Sequence, residues 1–327
     1  MRKNRYLFSV IIIVTTLILT AFIYIRFFKK NVNVKSATLP EQLVFAKSGD
    51  DILNAGLIFN AKKEIAKPIA ILWIHGWGVN FYSPGYVSIG RYFAEKGYTR
   101  FDVNTRMHDI GNIEGYTGDK RIRGGGYWGV GSDQTKDIAA WIDFVESNGF
   151  KKIILVGHSA GCAAVRMYQA EKQDSRIIGL VFGSGGVNAD AAIDSSLVRQ
   201  AIRLASENKG DALVQDTTRS FPSYTSAATI MDIVNTPPEY KDFFGIHTNN
   251  PGVSKILCPI LAFYGTNGDV GNETDLELLK ASIKKHAKGP VSVTTTMITG
   301  ADHMYDGEEE QVANVITKWI ENISKQK

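Results

Sequence analysis

Ser159, Asp269 and His303 are of the residue types that could share one reaction. A serine hydroxyl is a poor nucleophile at neutral pH and needs a base to take its proton as it attacks a carbonyl. Histidine suits that task, with an unperturbed pKa of about 6.5. A carboxylate beside the ring holds one tautomer and stabilises the imidazolium that forms. Ser159 has the most telling surroundings. It stands in "LVGHSAGCA" (155–163), with Gly157 two positions before it and Gly161 two positions after. The apolar run Ile153–Val156 ends at the first glycine, and a helix-like segment begins near the second. A strand that becomes a helix within so few residues holds its apex in strained geometry, and only glycine avoids a clash where the chain passes close to itself. The apex side chain then stands clear of the sheet edge, faced by the unpaired N–H groups and partial positive charge of the helix start. On this motif alone a helix-capping serine reads equally well.

The elements that must position these residues follow from the periodicity of the chain. "QLVFAK" and "ILNAGLIFN" flank "SGDD", a hairpin signal. In "KPIAILWIHGWG" the wholly apolar stretch Ile69–Ile74 marks a strand buried on both faces. "SIGRYFAEKG" reads as a helix closed by Gly97, and "YTRFDVN" as a strand. Residues 104–132 are polar and glycine-rich, longer than an ordinary connection. "DQTKDIAAWIDFVESNG" carries a helical apolar stripe ending at Gly149. "KKIILVG", "RIIGLVFGSGG", "CPILAFYG" and "VSVTTTMITG" are further strands, and the last helix spaces Val312, Val315, Ile316, Trp319, Ile320 and Ile323 along one face. This alternation predicts a mostly parallel central sheet with helices on both faces. Residues 187–255, with "FPSYTS", "NTPPEYKDFFG" and "NNPG", break the alternation and are expected to form an inserted cap.

In such a sheet, sites form at the carboxyl ends of strands. Ser159 ends the strand 153–157, Asp269 follows 260–265 and His303 follows 291–298. Serine, acid and histidine in that order, with "HGWG" (75–78), "GHSAG" (157–161), "GTNGDV" (265–270) and "GADHMY" (300–305) each after a strand, resembles the α/β-hydrolase family over roughly residues 40–325. The resemblance implies an α/β-hydrolase fold and a Ser159–His303–Asp269 triad, with the backbone N–H groups of Trp77 and Ala160 holding the oxyanion of an acyl substrate. Catalysis of that kind needs neither metal nor cofactor. The same resemblance sorts the histidines: His75 braces the oxyanion loop, His158 cannot turn back onto its neighbour, and His286 is a solvated helix end. His108 and His247 lie in the loop and the cap. The acid has rivals in Glu273 and Asp275, which also read as first-turn helix acids favoured by the dipole, because Gly265 to Asp269 is one residue longer than is usual in the family. Asp302 adjoins His303 and points elsewhere. Arg121 and Arg123 in the loop 118–132 are candidates for an anionic substrate or for a solvated face. Phe221, Tyr224, Tyr240, Phe243 and Phe244 are candidates for an apolar acyl pocket or for cap packing.

The N-terminus differs from the body. Tyr6–Ile25 carries no charge across twenty residues, and Arg2, Lys3 and Arg5 precede it while Arg26, Lys29 and Lys30 follow. Twenty helical residues span about 30 Å, the thickness of a bilayer core. The run is longer than a signal-peptide core, and "RFFKKNVNVK" offers no cleavage site. Residues 1–35 are therefore expected to be a membrane anchor with basic flanks, positive on both sides and so of open orientation. Residues 40–327 are the catalytic body. Seven of the 37 Lys+Arg lie in residues 1–35, which hold no acid; the remaining 30 face all 33 Asp+Glu, about −3. The +4 net charge thus belongs to the anchor, and no basic surface for nucleic acid is implied. Two cysteines, Cys162 and Cys258, suggest neither metal nor disulfide framework. The glycine-rich stretches lack nucleotide-binding spacing.

The expectation is thus a membrane-anchored serine hydrolase acting on a small acyl substrate, most simply a carboxylic ester. An amidase or peptidase of the same fold is the alternative, and a non-catalytic binding protein on the fold is the alternative from another class.

Overall fold

The computed structural model describes residues 34–114, 122–186, 194–216, 223–288 and 291–325. The expected anchor span Tyr6–Ile25, Arg121 and Phe221 lie outside them; among the described residues no helix is long and apolar enough to cross a membrane. In chain order the body runs β1 Glu41–Lys47, β2 Leu53–Phe59, β3 Ala70–Ile74, α1 Pro84–Glu95, β4 Arg100–Val103, β5 Asn112–Glu114, β6 Ile122–Gly124, α2 Gln134–Ser147, β7 Ile153–His158, α3 Gly161–Lys172 and β8 Ile177–Gly183. It continues with α4 Ser195–Ser206, β9 Leu213–Asp216, β10 Ser223–Ser226, α5 Ala227–Asn235, α6 Pro238–Lys241, β11 Ile260–Gly265, α7 Glu273–His286, β12 Val293–Ile298 and α8 Glu309–Lys325.

Eight strands form one sheet in the order β1-β2-β4-β3-β7-β8-β11-β12. The β1–β2 and β2–β4 pairs are antiparallel, and every pair from β4 to β12 is parallel. The apolar β3 lies at the centre with no exposed residue, because helices cover both faces. Its Ala70, Leu72 and Ile74 belong to one buried layer that includes Ile138 and Trp141 of α2, Val165 of α3 and Leu279 of α7. Its Ile71 and Trp73 pack with Tyr86 and Phe93 of α1 and with Ile316 and Trp319 of α8. The two-residue alternation of the strand thus feeds two separate apolar layers. The helix expected to begin at Ser88 starts earlier, where Pro84 fits the first turn, which needs no N–H.

The described part of the long polar segment after β4 is held by buried side chains. The β5–β6 ribbon lies within it. Arg106, nearly fully buried, donates to both oxygens of Asp137 in α2 and to both of Asp50 in the β1–β2 turn, at 2.9–3.0 Å. Between β8 and β11 the described elements hold a small cluster of their own, Leu197, Ala201, Val214, Ala227 and Ile230. Tyr240, Phe243 and Phe244 belong instead to the main apolar layer.

Candidate active site

Ser159 sits between β7 and α3 with φ at 52°, a left-handed conformation that non-glycine residues seldom adopt. Its N–H donates to the Gly183 carbonyl at 2.8 Å, and its carbonyl accepts from Cys162 N–H at 3.0 Å. The glycine fence has a steric cause. A Cβ on Gly157 would stand 2.6 Å from the Gly161 carbonyl oxygen, and one on Gly161 would stand 2.5 Å from that of His75. No side chain fits either gap. The capping alternative is not the one realised: α3 is entered through Ala160, with no side-chain cap.

The Ser159 hydroxyl instead meets His303, with Oγ 3.0 Å from Nε2, and His303 Nδ1 lies 3.0 Å from Asp269 Oδ1. The three side chains that the sequence separates by up to 144 positions form one hydrogen-bonded row. A carboxylate only accepts, so Nδ1 carries the ring proton and Nε2 keeps its lone pair toward the hydroxyl. The Asp269 carboxylate is fully enclosed, while the His303 side chain is 34% exposed at the site mouth. Asp269 Oδ2 also accepts from Ser184 Oγ at 2.5 Å and Gly265 N–H at 2.6 Å, and Oδ1 accepts from Val270 N–H at 2.7 Å. Burial alone would raise the pKa of this carboxyl, but the hydrogen bonds from His303, Ser184 and the two backbone N–H groups outweigh it and hold Asp269 below the usual carboxylate range.

The extra residue in "GTNGDV" is absorbed by Gly268, at φ 80°, and the turn brings Asp269 back onto the N–H of Gly265. The rival acids are used elsewhere. Asp275 closes a capping box with Asn272 at the start of α7, and Glu273 opens the same helix. Asp302 accepts from the N–H groups of Met304 and Asp306, both at 3.1 Å, shaping the turn that presents His303.

On the other side of Ser159 runs the "HGWG" loop. A Cβ on Gly76 would stand 2.9 Å from the Ser159 Cβ, so the Gly76–Trp77 backbone borders the nucleophile position. The backbone N–H groups of Trp77 and Ala160 have no hydrogen-bond partner among the described residues. Trp77 is 40% exposed, and its indole N–H donates to the Gly126 carbonyl at 2.8 Å. The Tyr127 ring lies 6.1 Å from it, and Tyr224 of β10 continues the row at 5.8 Å. His75 is buried; its Nε2 accepts from Thr105 N–H at 3.1 Å, so its Nδ1–H donates to the Gly76 carbonyl at 2.7 Å. Burial pushes its pKa down to about 4, which keeps it neutral. His286 is not a solvated helix end: it is half-buried, with Nε2 3.0 Å from the Gly245 carbonyl. Arg123 is exposed, 5.5 Å from the Trp128 ring, and not in the row.

Ser184, Tyr305 and Tyr86 support the row from outside it. Tyr305 donates to Ser184 Oγ at 2.8 Å, and Ser184 in turn donates its O–H to Asp269, so the carboxylate rests on a chain of two hydroxyls. The signal for Ser184 in the sequence is "GSGG" (183–186) at the end of β8, beside the elbow strand. A cavity of about 190 Å³ lies beside α3, lined by Ala163, Arg166, Met167, Asp232, Tyr240 and Phe243 among others; Ser159, Asp269 and His303 are not among its lining residues. Tyr240 and Phe243 thus serve both packing and a pocket wall.

The sheet order, the left-handed serine between β7 and α3 and the acid and histidine after β11 and β12 define the α/β-hydrolase fold, and this chain adopts it. Est1E from Butyrivibrio proteoclasticus is 17% identical, covers 86% of this chain and 99% of its own, and superposes with a TM-score of 0.57. The α/β hydrolase GrgF from Penicillium sp. sh18 is 13% identical, with 88% and 99% covered and a TM-score of 0.63. An esterase from Pyrococcus furiosus is 14% identical, with 87% and 92% covered and a TM-score of 0.56. At these identities the likeness is one of fold. No protein-family model matches the sequence, and no curated protein is similar to it in sequence.

Proposed function

We propose that this protein is a serine hydrolase that cleaves carboxylic esters or related acyl derivatives through an acyl-enzyme. The observation that carries the reading is the unbroken row from the Ser159 hydroxyl through His303 to the enclosed Asp269 carboxylate. Esterases among the similar folds agree with it. Ser159 Oγ attacks the substrate carbonyl as His303 Nε2 takes its proton. The imidazolium is held by Asp269, whose carboxylate is kept ionised by its four donors. The N–H groups of Trp77 and Ala160 receive the oxyanion. His303 returns the proton to the leaving alcohol, and water activated at the same nitrogen releases the acid. The uncharged run Tyr6–Ile25 supports a further proposal, that residues 1–35 hold this hydrolase at a membrane.

A fluorophosphonate probe tests the reading directly. It should label the wild-type chain at Ser159 and leave Ser159→Ala unlabelled. Absence of labelling on a folded wild-type chain, together with no turnover of p-nitrophenyl esters or amide analogues, would refute it and leave a non-catalytic binding protein on this fold.

A further inference from the structure

His158 precedes the nucleophile, yet its ring turns away from Ser159 into the core. It is fully buried, packed 5.4 Å from the Tyr86 ring, 5.1 Å from Tyr305 and 6.5 Å from Trp73. Its Nε2 lies 2.8 Å from the backbone carbonyl of His303. A carbonyl only accepts, so Nε2 carries the proton, and Nδ1 is left to accept from the Tyr86 hydroxyl at 2.5 Å. The Tyr86 oxygen in turn accepts from Gly76 N–H at 3.3 Å. One buried chain therefore runs from the N–H of Gly76, in the loop that supplies an oxyanion donor, through Tyr86 and His158 to the backbone of His303. The base of the pair is anchored too: Arg100, itself buried, donates to the Tyr86 carbonyl at 3.0 Å while its guanidinium lies 4.1 Å from the Trp73 ring.

We propose that His158, set by Tyr86, is a positioning residue for His303: its Nε2–H fixes the His303 backbone so that the imidazole meets Ser159 and Asp269 together. The inference rests on the serine-hydrolase reading of the same site. Three loops must hold register for that reaction, those of Gly76, Ser159 and His303, and they approach from three different strand ends. The Tyr86–His158 pair bonds to the first and third while His158 is itself part of the second. The ring also stays uncharged: burial, and then the neighbouring His303, push its pKa down to about 3. The other titratable groups around it are Tyr86, Tyr305, Asp269 and His75. A neutral donor can hold the His303 carbonyl, at a ring-to-ring distance of 5.0 Å, without placing a charge beside the base.

The test compares His158→Phe, which keeps a ring but no donor, with His158→Gln, whose amide can supply N–H near the Nε2 position. Steady-state kinetics on one p-nitrophenyl ester and the rate of fluorophosphonate labelling are read for each. His158→Phe should lower kcat roughly 10- to 100-fold with KM little changed, as a displaced base does, and slow labelling by a similar factor. His158→Gln should recover most of that loss. Wild-type kcat in a folded His158→Phe, or a His158→Gln as slow as His158→Phe, would overturn the positioning role while an inactive Ser159→Ala left the hydrolase reading standing. An active Ser159→Ala would instead remove that reading and this one with it. If His158→Phe does not fold, Tyr86→Phe decides: loss of the hydroxyl frees the His158 tautomer and should cost several-fold in kcat, and an unchanged kcat overturns the proposal.

Discussion

Replacing Asp269 by asparagine is the sharpest perturbation of the site, because the carboxylate leaves an amide no comfortable orientation. Each Asp269 oxygen accepts one backbone N–H, Val270 on Oδ1 and Gly265 on Oδ2, in addition to a side-chain donor. Whichever way the amide is turned, its NH2 group must face a backbone donor within 2.6–2.7 Å of the present oxygen. With NH2 at the Oδ2 position it opposes Gly265, though Ser184 can rotate to accept. With NH2 at the Oδ1 position it opposes Val270 and turns a donor toward His303, which must then carry its proton on Nε2 and lose its lone pair to Ser159. One orphaned donor costs about 1–3 kcal/mol of stability, and a histidine held in the wrong tautomer costs on the order of 10⁴-fold in kcat. The measurement is kcat/KM on one ester for Asp269→Asn, Glu273→Gln and Asp275→Asn, with Tm for each. Asp269→Asn should lose about three to four orders of magnitude in rate. Asp275→Asn should lose about 1 kcal/mol or less of stability, through its capping box, at nearly unchanged rate. An Asp269→Asn within tenfold of wild type, with either helix variant severely impaired, would refute the assignment of the acid.

Ser159→Ala should abolish turnover, by on the order of 10⁶-fold, with an unaltered circular dichroism spectrum; turnover near wild type would sink the covalent mechanism. A chain beginning near Thr38 should be soluble and active, while the full chain should resist carbonate extraction from membranes; a mature N-terminus beyond residue 30 by mass spectrometry would mean cleavage instead. Asp50 should lend acid-sensitive stability. Partial burial opposes its ionisation, but hydrogen bonds from Arg106 and Ser48 and the Arg106 and Lys136 charges hold its pKa well below the ordinary 3.8. A depressed carboxylate contributes above its unfolded pKa and loses that contribution as pH falls. The Tm gap between wild type and Asp50→Asn should therefore be full at pH 7 and narrow below about pH 4; a gap that widens on acidification would contradict it.

The features legible in the sequence were those with a local steric or periodic cause. The glycines around Ser159 are required by contacts within the elbow and with the adjoining β3 end, so they mark the turn in the chain itself. The two-sided burial of β3 shows as an unbroken apolar run, and the serine–acid–histidine order follows from strand ends in a parallel sheet. The supporting shell left no such mark. Ser184 meets Asp269 across 85 positions, Tyr305 meets Ser184 across 121, and Tyr86 meets His158 across 72. Serine and tyrosine are ordinary residues at such places, and no spacing sets these apart. His158 shows the boundary most clearly. Its inability to reach Ser159 is a local fact and could be read; its reach to the carbonyl of His303, 145 positions away, depends on how β7 and the loop after β12 are brought together by β8 and β11 between them. A residue dismissed from the reaction on local grounds can still govern it through the backbone, because a general base is only as well placed as the main chain that carries it.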